Sequence, residues 1–181
     1  MTAVTKVAVP ETARRLSGLA GGYEDAFVVE TGDTTGRTAE DWARAIFEGA
    51  PASLRRGLLA GWSSLGLELG PTGSDGTVLG WEVRRATRDF VLLGAGSRLG
   101  LPAELLFARR RRTLLFATFV RPENPLARAL WAGVIPLHER VVPRVLRGAP
   151  AGSPHEGAHP RSTEIVECDG LPSAGSRDTS R

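Results

Sequence analysis

A single cysteine, Cys168, stands in the 181 residues, which excludes an intrachain disulfide framework and a cysteine-only metal cluster. Lysine is as scarce: Lys6 is the only one, and every other cationic side chain at neutral pH is arginine. With a net charge of only +3 and so much Ala, Gly and Leu beside the Arg, this reads as a high-GC coding bias before it reads as a nucleic-acid footprint. That footprint calls for clustered cations plus a recognition module, so nucleic acid is not an expected partner. Long apolar runs are missing too. No window approaches the roughly 18 apolar residues of a membrane span, and the N-terminus lacks the apolar core of a secretory signal, so no integral membrane span and a cytoplasmic location are expected.

What is present fits one globular domain plus tails: 41% hydrophobic and 24% charged residues allow a substantial core at this length. The feature that organises the chain lies near its end, from Asn124 to Leu146. There Leu126, Leu130, Val134, Leu137, Val141 and Val145 recur at spacings of three and four, which predicts one apolar face of an α-helix. Asn124-Pro125 supplies an N-cap followed by proline in the first turn. Pro136 and Pro143 lie inside the stretch, where each removes a backbone hydrogen bond and crowds the preceding turn, so a bend is expected. An apolar helix face needs a surface to cover, and the upstream chain offers strands.

Residues 1–20 hold one short helix, Glu11 to Leu19, and are expected to be peripheral. Tyr23 to Thr31 reads as a first strand, rich in Phe and Val and bounded by a turn-prone GDTTG. Thr38-Ala-Glu-Asp41 has the form of a capping box and predicts a helix with Trp42, Ala43, Ile46 and Phe47 on its apolar face. Pro51 opens a second short helix carrying Leu54, Leu58 and Leu59. From Gly61 to Val120 the period becomes two. Leu65, Leu67 and Leu69 form one inward set, and Leu79, Trp81 and Val83 another; further runs follow at 89–95, 101–108 and 113–120. Short strands without helices between them predict an antiparallel meander, hence an α+β fold with about six strands. Residues 149–181, rich in Pro, Gly, Ser and Arg with little that could pack, read as a disordered tail.

No strong catalytic motif stands out. Gly94-Ala-Gly-Ser-Arg-Leu-Gly100 has GxGxxxG spacing and is followed by LPAELLF, a strand, whereas a dinucleotide loop needs a helix there. Gly61-Trp-Ser-Ser-Leu-Gly66 lacks the GxSxG spacing of a nucleophile elbow, and Ser63 and Ser64 read as ordinary strand residues. His138, on the border of the apolar helix face, is either a polar group at a pocket mouth or a general acid/base, with no acidic partner placed by spacing. His155 and His159 have the i, i+4 spacing of a metal pair but no third ligand, so no metal site is assigned. Arg109 to Arg112 fall at a hairpin tip, either solvated or a contact for an anion or a membrane surface. Glu82 and Glu104 could pair as carboxylates, yet their parity points to solvent. Trp62, Trp81, Phe107, Phe116 and Trp131 are core candidates individually and cavity-lining candidates together.

The order of elements, together with Tyr23-Glu-Asp-Ala-Phe27, Ala39-Glu-Asp-Trp-Ala-Arg44, Leu79-Gly-Trp81, Ala117-Thr-Phe-Val-Arg121 and Asn124-Pro-Leu-Ala-Arg-Ala129, resembles the helix-grip fold of the START, polyketide-cyclase and pollen-allergen superfamily (SRPBCC), in a domain-of-unknown-function branch of high-GC bacteria. The resemblance covers residues 21–148. It implies a curved sheet around the long C-terminal helix and, between them, a cavity for a lipid, polyketide or other hydrophobic small molecule, without a cofactor. The expected ligand-binding residues are Trp81, Val83, Leu105, Phe107, Phe116, Leu130, Val134, Leu137 and His138. Alternatives are a cyclase- or aromatase-like enzyme with His138 as acid/base and Arg98, Thr118 or Glu104 orienting a carbonyl, and a ligand-free interaction module. Oligomeric state is left open.

Overall fold

Short extended runs rich in Val, Leu and Phe, the central ones apolar on both parities, build one sheet, seen in a computed structural model that describes residues 3–149 except 33 and 35. In chain order the elements are β1 (Val4–Val7), α1 (Glu11–Arg14), β2 (Tyr23–Glu30), α2 (Ala39–Phe47), α3 (Ala52–Ser64), β3 (Leu67–Glu68), β4 (Thr77–Val78), β5 (Trp81–Ala86), β6 (Phe90–Ser97), β7 (Ala103–Arg109), β8 (Thr113–Val120) and α4 (Pro125–Arg147). The fold is α+β, as expected. All neighbouring strands run antiparallel in the order β1-β2-β8-β7-β6-β5-β4, and β3 also pairs with β6.

Eight strands replace the expected six for two local reasons. The expected run from Leu79 to Val83 begins with a two-residue turn that pairs Thr77–Val78 onto it as an extra strand: Leu79 and Gly80 both take positive φ, 46° and 86°, the signature of a hairpin turn that matches strand twist. Leucine is strained there. Its side chain is buried, and its N–H donates to Glu48 Oε1 at 3.0 Å. The second addition is β1, which pairs along β2 with Val4 opposite Val29. The first twenty residues, expected to be peripheral, thus extend the sheet. α3 also runs on to Ser64, so Ser63 and Ser64 are helical and not strand residues.

Strand parity sorts the core into two clusters. Phe27, Val29, Leu93, Leu105, Phe107 and Phe116 face the helices α2, α3 and α4. Ala26, Leu92, Leu106, Leu115, Ala117 and Phe119 face the other way and are covered by Val9, Ala13 and Leu19. The capping box is present in full: Asp41 N donates to Thr38 Oγ1 at 3.1 Å, and Thr38 N donates back to Asp41 Oδ2 at 2.9 Å. Those Thr38 bonds hold the Asp41 carboxyl below its ordinary pKa.

α4 begins with Asn124 Oδ1 accepting from Ala127 N at 2.7 Å and continues through both Pro136 and Pro143. Its buried face differs from the expected stripe. The buried side chains are Ala127, Trp131, Val142, Val145 and Leu146, whereas Leu126 and Leu137 are 73% and 61% exposed. The reason is helical geometry. Steps averaging about 3.8 residues overshoot the 3.6-residue turn by about 20° each, so Leu126 and Val145 lie about 100° apart around the axis. The sheet takes the face centred on Trp131, which leaves Leu126 outside and Leu137 at the rim of the space beneath the helix.

Candidate cavity and its polar end

Between the helix-facing side of the sheet and α4 lies a cavity of about 230 Å³. Six of the nine expected ligand-binding residues line it: Trp81, Leu105, Phe116, Val134, Leu137 and His138. The other three do not. Phe107 is completely buried behind the wall, edge-on to Phe47 at 5.3 Å and to Phe116 at 5.0 Å. Val83 and Leu130 are half-buried against the core. Trp62 and Trp131 do line the cavity.

The contribution missed from the sequence is the rest of α3 beside Trp62. Gly57, Leu58 and Gly61 belong to the wall, and a Cβ at either glycine would meet nothing within 4 Å. None of the α3 side chains is fully buried, so its weak amphipathicity gave no sign that it borders a cavity. The glycine pair four residues apart was the available signal, since it leaves a flat strip on one helix face.

His138 brings a polar group to the cavity wall, and β2 lies behind it. Its helix-facing row is Tyr23, Asp25, Phe27 and Val29, so strand parity alone carries Asp25 inward. His138, seven residues after Trp131 on α4, reaches the same place from the helix. His138 Nε2 lies 3.1 Å from Asp25 Oδ2, with the side chains 14% and 2% exposed. The acidic partner that spacing did not provide is therefore Asp25. Tyr23 Oη donates to the same oxygen at 3.0 Å. Tyr23 also meets the Trp131 ring at 5.2 Å and His138 at 6.0 Å, both edge-on, while Trp131 and His138 are 5.5 Å apart. Burial, followed by the charge and hydrogen bond of Asp25, raises the Tyr23 phenol well above its ordinary pKa, so it stays a protonated donor. Thr118 faces Asp25 directly across the β2–β8 ladder and lines the cavity. Among the described residues, Asp25 Oδ1, Thr118 Oγ1 and the indole N–H groups of Trp81 and Trp131 are buried without a partner.

Other candidates fall elsewhere. Glu104, assigned to solvent by parity, is 2% exposed on the opposite face of the sheet. There its Oε2 accepts from Ser17 Oγ at 2.6 Å and Gly18 N at 2.9 Å, and its Oε1 from Arg84 Nη1 at 2.8 Å. It neither pairs with the exposed Glu82 nor reaches the cavity. The side chain of Arg98 is 81% exposed beside Glu68, so it cannot orient a carbonyl inside. Gly94 and Gly96 are strand residues of β6. Arg109 is tied to Asp89 at 2.7 Å, leaving Arg110, Arg111 and Arg112 exposed at the hairpin tip. His155, His159 and Cys168 lie outside the described residues. Among those described, no helix is long and apolar enough to cross a membrane.

Comparison of the chain with protein-family models, with curated proteins and with solved structures gives no match in any of the three.

Proposed function

We propose that the protein binds a hydrophobic small molecule in the cavity beneath α4, as a helix-grip domain of the SRPBCC type. The observation that carries this reading is the unfilled space of about 230 Å³ between sheet and helix, walled by Trp, Phe, Leu and Val side chains. Packed cores leave few voids larger than a water molecule. This space is instead an apolar cleft whose rim includes the exposed Gly57, Gly61 and Leu137, and a ligand seated in it removes that apolar lining from water. The volume falls just below the roughly 300–1,000 Å³ of sites for drug-sized ligands. A compact ring compound fits it better than an extended acyl chain.

Three tryptophans on the wall provide the measurement. Titration with apolar ring compounds should change Trp fluorescence saturably, and native mass spectrometry of gently purified protein should show a copurified mass. Val134→Phe, which adds bulk to a half-buried wall position, should weaken binding at least about 10-fold with the fold retained. Equal binding by Val134→Phe, or no saturable site for any ring compound, would count against the reading.

A further inference from the structure

Asp25 is an odd residue for stability alone. It is a carboxylate 4% exposed in an apolar row, paired with no arginine or lysine among the described residues, and with one oxygen unpartnered. A well-packed apolar side chain would serve the fold at least as well. What Asp25 does have is His138. An ionised Asp25 can only accept, so Nε2, 3.1 Å from its Oδ2, is the nitrogen that carries hydrogen toward it, which favours the tautomer whose lone pair is on Nδ1, and Nδ1 has no hydrogen-bond partner among the described residues. His138 lines the cavity. The result is a base held by a buried carboxylate, itself held by the Tyr23 hydroxyl, at the wall of an apolar chamber.

We propose that Asp25 and His138 form a proton-transfer site acting on an apolar carbonyl compound held in the cavity, at the carbon next to the carbonyl. The inference rests on the binding reading above. His138 Nδ1 takes the proton, the C–H electron pair becomes the enolate double bond, and the carbonyl π pair moves onto oxygen. The imidazolium formed is stabilised by the Asp25 carboxylate on which His138 rests. Return of the proton to the same carbon gives exchange; return to the far carbon of a β,γ-unsaturated ketone moves the double bond. Neither outcome needs an oxidant, a reductant or a second substrate. Acyl transfer fits the site less well: Ser64 is the serine of the wall, and its hydroxyl is spent on the Gly61 carbonyl at 2.7 Å.

The test uses the whole chain with 1-indanone, 1-tetralone and 1-benzosuberone, and with tetralin as the oxygen-free match. Trp fluorescence reports binding, and proton NMR in D₂O reports deuterium entering beside the carbonyl. At least one bound ketone should exchange saturably and faster than in buffer. His138→Ala should remove about 10²-fold or more of that acceleration. Asp25→Asn, acting through His138, should lower exchange about 10²-fold with the ketone's Kd unchanged, a split that a merely structural role would not give. A ketone that binds but exchanges no faster than in buffer overturns the proposal and leaves the binding reading standing. Full exchange in a folded Asp25→Asn or His138→Gln protein overturns it as well. Failure of ketones and tetralin alike to bind would instead remove the cavity reading beneath it.

Discussion

The sheet buries a carboxylate on each face, and the two are treated in opposite ways. On the face away from α4, Glu104 has both oxygens engaged, by a hydroxyl, a backbone N–H and a guanidinium. On the α4 face, Asp25 concentrates its bonds on one oxygen, leaves the other unpartnered among the described residues and has imidazole in place of a fixed cation. A buried polar group that is fully satisfied rigidifies what it joins; one that is half satisfied is costly unless something else uses it. Glu104 thus reads as the clasp that fastens the N-terminal segment to the sheet, and Asp25 as part of a site.

Isosteric neutralisation separates the two roles. Glu104→Gln removes the charge that holds Arg84 and leaves it only the long, exposed contact to Glu82 at 3.9 Å, so it should cost about 2 kcal/mol of stability. Asp25→Asn keeps an oxygen to accept from Tyr23 and relieves a buried charge, so its cost should be about 1 kcal/mol or less. Urea midpoints at unchanged slope would measure both. Equal losses would mean that Asp25 is as structural as Glu104.

Gly94 sharpens the same contrast. A Cβ there would sit 2.0 Å from Arg84 Nε, so the glycine is what lets the guanidinium lie across β6 toward Glu104. Gly94→Ala must push that flexible side chain aside, at a cost of about 1–2 kcal/mol. Because both changes break one contact, the Gly94→Ala/Glu104→Gln double variant should lose less than the two singles together. Simple additivity in the same urea unfolding would detach Gly94 from the clasp.

How far the sequence revealed these features follows from the range of the interactions. Local ones were legible: the Thr38–Asp41 box, the Asn124 cap and the alternation through β7, whereas β6 and β8 are apolar on both parities and gave no face. Parity placed Glu104 on the opposite face correctly but could not say whether that face is covered, since its cover comes from Ser17, Gly18 and Leu19, more than 80 residues earlier. The cavity wall was legible where it rests on strand parity, at Trp81 and Leu105. Asp25 was hidden for the opposite reason. Its inward direction follows from Phe27 and Val29, yet its partner is 113 residues away, at a distance fixed by how α4 lies on β2 and by no spacing in the chain.

The α4 stripe shows the same limit within a single element, and it gives the smallest expected effect. Six apolar residues at near-helical spacing cannot all face one way when their average step is longer than a turn. A straight helix must choose which part of the stripe to bury. The choice falls to Trp131, whose side chain offers the largest area to the sheet and reaches Tyr23 and His138. Leu126, at 73% exposure, then contributes almost nothing to the fold. Leu126→Gln should change stability by no more than about 0.5 kcal/mol, since it leaves the buried face and the Asn124 cap untouched. A loss of about 2 kcal/mol or more, the size expected for a leucine removed from a core, would mean that α4 turns its leucine edge inward, and with it would go the placement of His138 against Asp25.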